Sequence, residues 1–124
     1  MVGKSGVSTL EDTLAGKFHL KKSSDGQFRF VLKATNGETI LTSELYRAKP
    51  SALNGIESVR KNAPLNERYE RKMDKGGHPR FNLKAANHEI IGSSESYSSD
   101  AARDAGIESV KANAPTASVE DEAV

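Results

Sequence analysis

The chain has 124 residues, 28% charged and 35% hydrophobic, with a formal net charge of +1. That length suits one domain, or two very small units joined, with apolar residues enough for one thin core. Without cysteine, disulfides, thiolate metal sites and cysteine nucleophiles are excluded, and no apolar run approaches the roughly 20 residues that span a bilayer.

The first ten residues, MVGKSGVSTL, hold too short an apolar stretch for a secretory signal. These features lead us to expect a soluble cytoplasmic protein with no membrane association. Residues 1–16 are expected to form a flexible extension. From residue 17 the sequence repeats itself: a shift of 51 aligns 17–64 with 68–115 without a gap, and 21 of the 48 aligned positions are identical. Periods of this size mark duplicated supersecondary units. Charge is spread unevenly over them. Residues 17–64 carry nine Lys/Arg against four Asp/Glu, residues 68–115 eight against seven, and the tail 116–124 none against three.

Each repeat opens with a short strand, KFHLKK at 17–22 and RYERKM at 68–73, followed by a polar glycine-containing turn. A second strand alternates cleanly, with Phe28, Phe30, Leu32 and Ala34 on one side and Arg29, Val31 and Lys33 on the other. Its counterpart keeps Phe81, Leu83 and Ala85 opposite Arg80, Asn82 and Lys84, and Pro79 belongs at a strand start or edge. Asn36-Gly37 then signals a two-residue type I′ hairpin, with Asn87-His88 a less comfortable equivalent. The third strands are ETILTS and EIIGSS.

After SELY and SESY the period becomes helical. One helix begins at Lys49-Pro50-Ser51; Ser98 or Ser99 caps the other. Ala52, Gly55, Ile56 and Val59 form a narrow apolar stripe, repeated in Gly106, Ile107 and Val110, with Arg103 in place of Ala52. Glycine inside a helix costs about 1 kcal/mol against alanine, so its recurrence predicts helices lying close to the sheet. Asn-Ala-Pro ends both helices, with asparagine expected in the left-handed cap conformation.

A unit of 48 residues is small for a self-sufficient core and leaves strand edges open. The expectation is an α+β domain in which two tandem β3-α(-β) repeats, 17–64 and 68–115, joined by 65–67, form one antiparallel sheet. Both helices cover one face about a pseudo-twofold axis, and residues 116–124 are expected to add an acidic segment, a short strand followed by disordered chain.

The strand FRFxLKA, the turn NGE, then I..SE.Y and GIESVK.NAP, found in both copies, resemble the YegP-like family of small bacterial tandem-repeat proteins. The likeness covers roughly residues 17–119. It implies that the β3-α-β units pair into one sheet and exchange their C-terminal strands. The family is of unknown function, so it implies no catalytic or binding residues.

Three surfaces could carry chemistry. His19, His78 and His88 do not recur between the copies and lack metal-ligand spacing, so no metal or cofactor is expected. The repeated Ser43-Glu44…Tyr46 and Ser94-Glu95…Tyr97 lie where strand hands over to helix, a place for binding a polar ligand or a protein. They show no chain of nucleophile, base and orienting group, so a non-enzymatic module is expected. Arg29, Lys33, Arg80 and Lys84 point away from the expected core and form a candidate polyanion surface, nucleic acid included. That face lacks the aromatic side chains on which bases stack. The alternative partner is a protein, bound at a sheet edge or at the loops. The covalent pair of repeats is expected to be monomeric.

Overall fold

Four turns of one design organise the chain, which the computed structural model describes from residue 16 to residue 123. In the loop after Lys33, Gly37 N–H donates to the Ala34 carbonyl (2.9 Å) and Ala34 N–H to the Glu38 carbonyl (2.9 Å), with Gly37 at φ +86°. This is a three-residue turn with a left-handed third position, not the type I′ turn expected from Asn36-Gly37. Asn36 stays out of the left-handed region and uses its Oδ1 to accept from Glu38 N–H (3.0 Å). Gly26 and Gly77 fill the same place in the other turns. So does His88, at φ 71° the one non-glycine with positive φ among the described residues.

The strands are β1 (Lys17–Lys22), β2 (Phe28–Lys33) and β3 (Thr39–Thr42) in the first half, and β4 (Tyr69–Met73), β5 (Pro79–Lys84) and β6 (Ile90–Ser93) in the second. The helices are α1 (Lys49–Asn62) and α2 (Asp100–Asn113), and a last strand β7 covers Ser118–Asp121. Pro79 opens β5, where no inward N–H is needed. Ser99 caps α2 by accepting from Ala102 N–H (3.1 Å). The helix stops differ from expectation. Asn62 and Asn113 stay right-handed and donate their side-chain amides back to the Ser58 and Ser109 carbonyls (2.8 Å each).

One sheet runs in the order β4-β5-β6-β3-β2-β1-β7. The two halves meet at β3 and β6, antiparallel through Thr42 opposite Ser93. The sheet is mixed rather than wholly antiparallel, because β7 runs parallel to β1. The core lies under the helices: Phe18, Phe30, Leu32, Ile56 and Val59 in one half, Phe81, Leu83, Ile107 and Val110 in the other, all essentially sealed from water. Leu41 ties the halves, since its side chain fills the space a Cβ on Gly92 would need, 2.6 Å away.

The segments after the helices cross over. The chain leaves α1 through a 3-10 turn, Asn66–Arg68, into β4 of the other half. After α2, the 3-10 turn Ala114–Thr116 leads to β7 beside β1 of the first half. A cation on each helix clasps the crossing segment. Arg60 donates to the Ala117 carbonyl (2.6 Å) and lies over the Phe18 ring, and Lys111 donates to Asn66 Oδ1 (2.9 Å) and lies over the Tyr69 ring. β1 already occupies the place beside β2, so β7 joins outside it. Nothing among the described residues lies outside β4.

Candidate functional site

The repeated Ser-Glu-x-Tyr loops turn out to be latches. Ser43 is buried; its Oγ accepts from Phe30 N–H (3.0 Å) and donates to the Glu44 carbonyl (2.7 Å). Ser94 repeats this with Phe81 N–H (2.9 Å) and the Glu95 carbonyl (2.8 Å). Each hydroxyl thus extends a strand ladder where the backbone turns away. Tyr46 stacks on Phe30 (centroids 6.2 Å, 12° between planes) and Tyr97 on Phe81 (6.3 Å, 11°).

Those rings account for the helix glycines. A Cβ on Gly55 would lie 2.8 Å from Tyr46 Cζ, and one on Gly106 2.6 Å from Tyr97 Cζ. The tyrosine, rather than the sheet backbone, comes too close for any side chain. Burial, reinforced by Glu44 and Glu95 respectively, raises both phenol pKa values, so neither ring offers an acid or base near neutral pH. Glu44 and Glu95 are exposed and make no ion pair among the described residues.

The opposite face of the sheet is basic. Register and alternation place Lys17, Lys21, Arg29 and Lys33 on it from the first half, and Lys72, Arg80 and Lys84 from the second. All four residues singled out by alternation, Arg29, Lys33, Arg80 and Lys84, therefore share this face. Two of the cations are neutralised: Lys84 by Glu70 (3.2 Å) and Lys17 by Glu120 (3.5 Å). Hydrogen bonds from Asn82 and Lys84 lower the Glu70 pKa and keep that carboxylate charged. Lys21, Arg29, Lys33, Lys72 and Arg80 form no ion pair among the described residues. Arg80 Nε is buried without a hydrogen-bond partner. A shallow depression of about 430 Å³ brings Arg29 to Ser43, Glu44 and Ser94, joining part of the basic face to the loops of both copies. Tyr46 and Tyr97 lie on the other side, against the helices.

A further cluster was not visible in the sequence. His19 Nδ1 lies 2.9 Å from Glu122 Oε2 and 3.7 Å from Glu120 Oε2, and the three ligating atoms fall within 4.8 Å of one another. Glu120 on β7 and Glu122 just past its end, whose N–H still donates to the Leu20 carbonyl (2.8 Å), reach the same histidine. Their histidine is 103 residues away in sequence from Glu122 and joins them only through the register of β7 on β1.

The family model described as "Domain of unknown function (DUF1508)" matches residues 23–70 and again 74–121. The chain is 62% identical over 108 residues to the UPF0339 protein YegP of Escherichia coli K12, covering 87% of this chain and 98% of that protein. It is 57% identical over 108 residues to a UPF0339 protein of Shewanella oneidensis, with the same coverage. The chain belongs to the YegP-like UPF0339 family. The solution NMR structure of Escherichia coli YegP, itself described as a protein of unknown function, superposes with a TM-score of 0.84 at 61% identity, over 89% of this chain and 95% of that one. The Shewanella oneidensis structure gives 0.83 at 57% identity, over 88% and 92%. The two family matches start 51 residues apart, the period read in the sequence, and this YegP-like chain has the fold of its solved relatives. No helix among the described residues is long and apolar enough to cross a membrane.

Proposed function

We propose that this protein is a non-enzymatic binding module whose open sheet face takes up an extended polyanion, nucleic acid among them, through its phosphates. One observation carries the reading. Lys21, Arg29, Lys33, Lys72 and Arg80, drawn from both halves, stand on one face with no carboxylate within ion-pair distance among the described residues, Glu122 lying further off from Lys21 and Lys33 and Glu70 from Lys72. The rings of Phe18, Phe30, Tyr69 and Phe81 are buried under the helices, so bases find no stacking platform and the binding has little sequence preference.

Five phosphate contacts on a single strand would give a salt slope of roughly −3.5. Fluorescence anisotropy with a labelled oligonucleotide is expected to show affinity falling up to about 50-fold between about 50 and about 150 mM salt. Arg29→Ser/Arg80→Ser is expected to weaken binding and flatten the slope by about 1.4. No binding, or binding indifferent to salt, removes the proposal.

A second reading, strand addition by a protein, is favoured by the open side of β4. Alternation of ladder bonds leaves the backbone groups of Arg71 and Met73 and the Tyr69 carbonyl pointing outward, the Tyr69 N–H being taken by the Asn66 carbonyl. Arg71 and Lys72 there discourage self-pairing. Arg71→Pro removes an outward N–H, and cross-linked partners that persist in that variant count against an edge contact. The loops are poor candidates, because their serines and tyrosines are already engaged inside the protein.

A further inference from the structure

We propose that His19, Glu120 and Glu122 form a site for one first-row divalent transition metal ion, which fastens the C-terminal strand to β1. The donor set, one imidazole nitrogen and two carboxylate oxygens, suits such ions, and three protein ligands leave a fourth position for water. Bonds of roughly 2.0–2.2 Å hold ligand atoms about 3.0–3.5 Å apart around a shared ion. The separations of 2.9 and 3.7 Å from His19 Nδ1 bracket that range. The two carboxylate oxygens lie within 4.8 Å of each other, a span that rotation of the exposed glutamate side chains would close around an ion.

The two kinds of ligand divide the work. The His19 side chain is only 15% exposed and held between strands, while those of Glu120 and Glu122 are 51% and 44% exposed and free to adjust. Glu120 divides its oxygens: Oε1 faces Lys17 at 3.5 Å, and Oε2 faces His19. Lys17, and Lys21 and Lys33 beyond Glu122, oppose a cation, so a micromolar rather than a tighter site is expected.

The second copy has no equivalent. Glu70 replaces His19, bonded to Asn82 and Lys84, and no strand lies outside β4 among the described residues. The stoichiometry should therefore be one ion per chain. His78 and His88 serve as internal controls, because each sits in a turn away from this cluster.

The test is a Zn²⁺ titration of the full chain, by calorimetry and by proton–nitrogen NMR. Expected are a single site, shifts confined to the His19 ring and to β1 and β7, and slowed hydrogen exchange of β7 amides at saturation. His19→Ala should lower affinity at least tenfold, as should Glu120→Gln/Glu122→Gln, which keeps the histidine and the strand contact in place. His78→Ala/His88→Ala should change nothing. Unchanged affinity in either ligand variant, shifts centred on His78 or His88, or unchanged β7 exchange would overturn the proposal.

Discussion

Gly55→Ala isolates the reason a helix would keep its poorest non-proline former in both copies. On an open helix face alanine would gain about 1 kcal/mol. Here its Cβ would lie 2.8 Å from Tyr46 Cζ and 3.0 Å from Phe30 Cε2, and forcing a methyl into such packing costs roughly 1–3 kcal/mol. The crowded ring is stacked on Phe30 and cannot swing clear, so the upper part of that range applies and the net loss is about 1–2 kcal/mol. In a domain of this size that lowers Tm by roughly 4–8 °C. In a Tyr46→Ala background only the 3.0 Å approach to Phe30 Cε2 remains, which the space vacated by the tyrosine lets the ring relieve, and the same Gly55→Ala change should become neutral or stabilising by up to about 1 kcal/mol. Urea unfolding of the four proteins in this cycle measures the coupling. Gly106→Ala with Tyr97→Ala repeats it in the second half. If Gly55→Ala costs as much without the tyrosine as with it, the close approach belongs to another group and the reasoning fails.

Ser43→Ala or Ser94→Ala leaves the buried N–H of Phe30 or Phe81 without its acceptor, and each should lose about 1–3 kcal/mol in urea unfolding. The Asp74 carboxylate accepts from the Ser96 hydroxyl and from His78 and Gly76 N–H, which depresses its pKa from 3.8 to about 2. Its stabilising contribution is therefore complete above pH 4 or so and is lost as pH falls towards 2; Asp74→Asn should remove that segment of the acid-unfolding curve. Ending the chain after Thr116 strips β7 and the Ala117 acceptor from Arg60, which should lower stability by roughly 1–3 kcal/mol while leaving a folded protein. Residues 1–64 alone lose the β3–β6 pairing and the place where Leu41 packs, so dispersed NMR signals from a monomer of that fragment would contradict the shared core.

The elements legible in the sequence were those whose signal is local. Alternation in FRFVLK and FNLK placed the core and the basic face correctly, and the stripe of Gly55, Ile56 and Val59 is the buried side of α1. Turn chemistry was only half legible. Gly37 marks a left-handed position in any of several turns, and the loop length that chooses among them depends on which Ala34 and Glu38 groups pair. The direction of β7 could not be read at all. SVED has no pattern that distinguishes parallel from antiparallel, and its place follows from β1 having already filled the inner position. The His19 cluster was hidden for the same reason.

The differences between the two copies become intelligible once β7 is placed. Leu20 is sealed in the core, and its carbonyl accepts from Glu122 N–H (2.8 Å) beneath the last turn of chain, where Ala123 is buried. Its counterpart Arg71 lies on a strand with nothing outside it among the described residues, stays exposed, and reaches Asp104 at 2.9 Å. Lys49 meets Asp121 of β7, whereas its counterpart Asp100, with no such strand beside it among the described residues, pairs with Arg103. His19 faces the acids of β7, and its counterpart Glu70 turns inward to Asn82 and Lys84. Many positions that serve both cores are the same in each half, such as Phe30 and Phe81, Gly55 and Gly106, or Tyr46 and Tyr97, whereas Leu41 and Gly92 differ because one fills the space of the other at the seam. Positions facing the sheet's outer edges differ according to whether a seventh strand covers them. The duplication accounts for the shared core, and the one added strand accounts for where the two outer edges have parted.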